Sequence, residues 1–140
     1  MSFDVYVQRF RRGEKEGIAL RYIRDAFPGL VKVIDEDYWK LVFSSADSTD
    51  LFLQPLEDNA DKIHALSFHR PCADARLWQG IWDLLADEGC VFHFPGCNSA
   101  LARDITAIDH LPVEMGSLGI AIATGPQDLA RSLEANDESD

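Results

Sequence analysis

His69 and Cys72 stand as H-x-x-C, Cys90 and His93 as C-x-x-H, and Cys97 follows close behind. Zinc modules supply tetrahedral sites from such short pairs. However, residues 90–94 alternate like a strand, which would turn Cys90 and His93 to opposite sheet faces, out of reach of one metal. The expectation is therefore no metal, with Cys90 buried, Cys97 in a loop and the histidines at the surface.

His69-Arg70-Pro71-Cys72 suits a different chemistry. It lies between an expected strand and an expected helix, where free amides, a guanidinium and an imidazole could hold a phosphate or carboxylate. Cys72 beside His69 could also act as an activated thiol. No third group or oxyanion hole is visible in the sequence, so no catalytic residue is assigned and no cofactor is expected. Asp35-Glu36-Asp37 reads as an acidic turn, and a calcium hand is excluded because no D-x-D-x-D-G loop is present.

The acidity is unevenly spread. Residues 1–40 hold eight Lys/Arg against seven Asp/Glu, while residues 41–140 hold five against seventeen, giving the net charge of −11. Such a chain repels nucleic acid and anionic membranes and attracts basic partners. Arg9, Arg11, Arg12, Arg21 and Arg24 are expected to pair with the protein's own acids.

These groups need a scaffold. The 140 residues, 46% hydrophobic, suffice for one domain with a substantial core, assigned to residues 1–133, with 134–140 as a disordered acidic tail. No secretory leader or apolar spanning run is visible and the cysteine count of three is odd, so a cytoplasmic protein is expected.

Residues 3–10 alternate as a strand, and Ile18, Tyr22, Ile23, Ala26 and Phe27 give a helix over 16–27. Residues 30–34, 38–44, 50–54 and 63–68 form an antiparallel meander. Asp74 caps a second helix through Leu77, Trp78, Ile81, Leu84 and Leu85, ended by Gly89. A strand at 90–94 follows, then short helices near 99–104 and 112–118, a strand at 118–123 and a helix at 126–133 with Thr124 and Gln127 as a capping box. The order β-α-β-β-β-β-α-β predicts an α+β fold: a mainly antiparallel sheet with two helices on one face and a small C-terminal α/β extension.

Asp4-Val5-Tyr6-Val7-Gln8, Tyr38-Trp39, His69-Arg70-Pro71-Cys72, Leu77-Trp78 and Phe94-Pro95-Gly96 together resemble a family of small uncharacterised bacterial proteins with the same order of motifs. The resemblance covers about residues 1–97 and implies no assigned activity. In size and charge the chain also resembles the immunity proteins of polymorphic toxin systems of type VI and Rhs type.

That resemblance implies a non-enzymatic protein that neutralises a cognate toxin by occluding its basic active-site surface. The acidic face would comprise Asp35, Glu36, Asp37, Asp47, Asp50, Glu57, Asp58 and Asp61, with Trp82 as an exposed anchor, because Trp78 and Trp82 need a wide stripe to face inward together. The alternative is a small-molecule binding domain or minor enzyme holding an anionic ligand with His69, Arg70 and Cys72. A homodimer is a third possibility.

Overall fold

Val5 and Val7 are fully buried while Tyr6 between them and Gln8 after them are partly exposed, the alternation of a strand with one face in the core. This strand, β1 (Val5–Arg11), lies inside the sheet, between β7 (Asn59–His69) and β8 (Cys90–His93), antiparallel to both. The computed structural model describes residues 4–116 and 118–138.

At the end of β1, Arg12 and Gly13 both take positive φ, 50° and 84°, forming a tight turn into the two-residue strand β2 (Glu14–Lys15). β3 (Ile18–Ala19) then pairs with β7, and α1 (Leu20–Ala26) begins after it. The helix expected from residue 16 is therefore four residues shorter at its start. Ile18 fits the helical period, but pairing with Ile63 buries it completely in the sheet.

The meander is β4 (Val31–Asp35), β5 (Tyr38–Val42), β6 (Ser48–Leu56) and β7, each antiparallel to the next. β6 is longer than expected because Pro55 sits where the register shifts, so its missing N–H interrupts no regular ladder. Strands β9 (Ala100–Ala102) and β10 (Ile120–Ile122) complete the order β10-β9-β8-β1-β7-β6-β5-β4. Among the described residues only β9 and β10 pair in parallel. The expected α+β class is what the chain adopts.

One face of the sheet carries the main core. Leu41, Leu51, Leu66, Phe68 and Phe92 meet Ile23 and Phe27 at α1 and Leu77, Ile81 and Leu84 of α2 (Ala75–Leu84). Full burial of each such side chain is worth about 1.5–3 kcal/mol. Gly80 lets α1 and α2 approach, since a Cβ there would overlap the Phe27 ring. A third helix, α4 (Pro126–Glu138), joins these two through the buried Leu129.

The opposite face is covered only toward β8 and β9. There Phe10, Val91, Ala100, Ala102 and Ala107 form a smaller core beneath a 3-10 helix (Ile105–His110) and α3 (Val113–Gly116). The expected helix at 99–104 is thus replaced by β9. Ala100 and Ala102 face the small core while Leu101 packs on the main one, an alternation that sheet pairing favours.

Asp74 caps α2, accepting the Arg76 N–H at 2.9 Å. At α4 the expected Thr124–Gln127 box is not formed. Asp128 instead accepts both the N–H and the hydroxyl of Thr124, at 2.8 and 2.9 Å. α4 continues to Glu138, into the stretch expected to be disordered, and residues 139 and 140 lie outside the described ones.

Candidate functional site

The first and third turns of a meander lie at one end and the second at the other. Asp35, Glu36 and Asp37 of the β4–β5 connection therefore share an end with Glu57 and Asp58 of the β6–β7 turn, and Asp61 follows on β7. Asp47 stands at the opposite end, where its carbonyl accepts the Phe43 and Ser44 N–H groups. Asp50 lies within β6, and Oδ1 accepts the Tyr38 hydroxyl at 2.6 Å. The expected acidic face is thus divided.

At the shared end, none of Asp35, Glu36, Asp37, Glu57, Asp58 and Asp61 has an ion-pair partner among the described residues. The ion pairs belong to other parts of the molecule: Arg9–Asp87, Arg11–Glu16, Arg76–Asp74, Arg131–Asp128, and histidine contacts with Asp4 and Glu88. Next to the Asp35 turn, edge strand β4 exposes Val33 (51%) and Ile34 (48%), a surface apolar pair whose position the sequence did not reveal. A one-residue register shift between Val33 and Asp35 breaks the strand alternation there.

His69, Arg70 and Cys72 do not form one site. The His69 ring packs on Phe52 at 4.6 Å on the uncovered sheet face, 3.9 Å from Asp4. Cys72 packs against the main core on the other face. Between them Arg70 takes a positive φ of 57°, and Thr49 ties the turn by donating to the Arg70 carbonyl and accepting the Cys72 N–H. The N-terminus of α2 is occupied by the Asp74 carboxylate, which Arg76 neutralises at 3.0 Å. The anion site expected there is filled by the protein's own acid.

Cys90 and His93 do point to opposite faces. Burial pushes the Cys90 thiol well above its ordinary range, leaving it unreactive. His93 stacks on Tyr6 and donates to Gln8 Oε1 at 2.6 Å. Burial lowers the pKa of His93, as it does that of His64, whose Nδ1 donates to the Arg9 carbonyl. His64 is buried, not at the surface as expected, and His110 is buried as well. His110 Nδ1 accepts the Arg12 N–H, so Nε2 carries the proton toward Glu88 at 2.8 Å. No group of three His, Cys, Asp or Glu side chains suited to a metal occurs among the described residues.

Trp82 is not a free anchor. It is half-buried against the main core, and the Arg103 guanidinium lies 4.3 Å over its ring. The N-terminal arginines divide as well. Arg9 and Arg11 meet acids as expected, whereas Arg21 and Arg24 have no ion-pair partner among the described residues. They line a cleft of about 570 Å³ with Leu20, Trp39, Asp61 and Lys62. Another cleft, of about 500 Å³, lies between the end of α2 and the 3-10 helix, but its acids are already engaged. Asp87 pairs with Arg9, Glu88 with His110, and Asp104 caps the 3-10 helix.

No family model, no curated protein and no solved structure matches this chain. The family resemblance and the immunity reading therefore rest on the residues alone. No helix among the described residues is long and apolar enough to cross a membrane.

Proposed function

We propose that this is a non-enzymatic, cytosolic protein-binding protein that docks a basic partner. The most concrete form of this reading is an immunity protein that occludes the active-site surface of a cognate toxin. The observation that carries it is the end of the meander where Asp35, Glu36, Asp37, Glu57 and Asp58 lack cationic partners of their own, beside exposed Val33 and Ile34.

Unpaired exposed carboxylates raise the rate of encounter with a basic surface, and apolar contact that sheds water supplies the larger share of affinity. A basic partner would meet both there. Relative to the face expected from sequence, the proposed surface loses Asp47, Asp50, Asp61 and Trp82 and gains Val33 and Ile34.

The test is co-expression with the product of a neighbouring toxin-like gene. Rescue of growth and co-purification are expected, and both should weaken when Asp35, Glu36 and Asp37 are changed to lysine. Absence of both rescue and complex with every such neighbour would overturn the reading.

A further inference from the structure

We propose that the cleft between β3, α1 and β7 binds a small organic anion, with a phosphate or carboxylate head on an apolar body. This site is independent of the partner-binding end, and the two readings stand or fall separately.

The cleft has an apolar floor and a cationic rim. Leu20 and Trp39 supply apolar surface, and Arg21, Arg24 and Lys62 supply charge. Lys62 arrives through strand register, paired with Ala19 immediately before α1. In a chain of net charge −11, three cations border one cleft with a single acid, Asp61, and no ion pair forms among them. Its volume, about 570 Å³, is that of a small-ligand site.

Three observations make this more than a charged patch. Arg21 and Arg24 are three residues apart on α1, a like-charge spacing that disfavours the helix unless an anion lies near both. Arg24 also lies 5.8 Å over the Trp39 ring, which places charge and aromatic surface together. In addition, Trp39 is only 4% exposed, and its indole N–H has no hydrogen-bond partner among the described residues. No buried polar side-chain atom there lacks a partner, so this N–H keeps some contact with water. Guanidinium groups hold phosphate or carboxylate oxygens by paired hydrogen bonds, and an apolar body would cover Leu20 and the edge of the indole that stays open.

The test uses the full chain, labelled with ¹⁵N and titrated separately with phenyl phosphate, octanoate, inorganic phosphate and benzyl alcohol. The Trp39 indole signal is assigned by its loss in Trp39→Phe. Phenyl phosphate or octanoate should shift it to saturation and leave the Trp78 signal in place, because Trp78 donates to the Cys72 carbonyl. The stronger of the two identifies the head group. Inorganic phosphate and benzyl alcohol, each lacking one half of the ligand, should bind about tenfold more weakly or worse.

Arg21→Ala and Arg24→Ala should each weaken binding about tenfold without lowering the melting temperature, and Asp61→Asn should tighten it. The proposal is overturned if neither anion moves the Trp39 signal at millimolar concentration. It is equally overturned if benzyl alcohol binds as well as phenyl phosphate, or if binding survives both arginine variants.

Discussion

Tyr38 on β5 and Asp50 on β6 are diagonal neighbours on the uncovered sheet face, and the phenol donates to Asp50 Oδ1 at 2.6 Å. That bond removes one carboxylate from the expected docking surface and fixes the Tyr38 ring in a stack on Phe52 at 4.7 Å. The Asp50 hydrogen bond, then burial and the nearby carboxylate charge, raise the Tyr38 pKa, because the phenolate would lose its acceptor and face a like charge. In Asp50→Asn the Tyr38 component of the tyrosine absorbance titration should move back toward its ordinary value of 10.0. An unchanged titration curve would contradict the bond.

Acid sensitivity should begin near neutrality. His64 and His93 are held neutral mainly by burial, so their folded pKa values lie below the ordinary 6.5. As pH falls through 6.5 the unfolded chain takes up protons that the folded one does not, and stability declines. Asp74, Asp104 and Asp128, whose pKa values are lowered by hydrogen bonds to Arg76 and to the backbone of Thr106 and Thr124, add their loss only in a lower window, around and below 3.8. Urea midpoints should fall between pH 7.5 and 5.5. His93→Gln should reduce that slope, while a slope equal to that of the parent protein would remove His93 from the account.

Gly80→Ala should destabilise the protein despite the better helix propensity of alanine. The added methyl would meet the Phe27 ring between α1 and α2, and overpacking of this kind costs about 1–3 kcal/mol. Paired with Phe27→Leu, which makes room, the alanine should cost less than it does alone. Equilibrium denaturation of the two single variants and the double variant measures the coupling.

Leu66 is fully buried on β7, beneath the helices and opposite Val7 and Leu53. Leu66→Ala should cost about 2–5 kcal/mol in denaturant unfolding. The exposed Asp35→Asn, by contrast, should change stability by no more than about 0.5 kcal/mol. The same Asp35→Asn variant should slow association with a basic partner, most visibly at low salt.

Trp82→Ala should show its effect first in stability, since Trp82 packs on the main core beneath Arg103. Loss of partner affinity at unchanged stability would return it to the role of anchor expected from sequence.

Local periodicity determined much of the scaffold. The alternation of Val5 and Val7, the Trp39–Leu41–Phe43 face and the Leu77–Trp78–Ile81–Leu84 stripe each carry their element in consecutive residues, so strands, meander and α2 were legible. Where a short segment satisfied two periods, pairing decided. Ile18 became strand because Ile63 was available, and residues 100–102 became β9 between β8 and β10.

The sites were less legible, for a different reason. The sequence places His69 and Cys72 three residues apart, but the turn held by Thr49 carries them to opposite faces of the sheet. Conversely Arg24, Trp39 and Lys62 are distant in sequence and meet only because β3 pairs with β7 and α1 packs beside it. Composition determined the charge of this protein. Which acids stand unpaired, and which arginines share a cleft, follows from strand register and helix packing, which join residues that no sequence spacing relates.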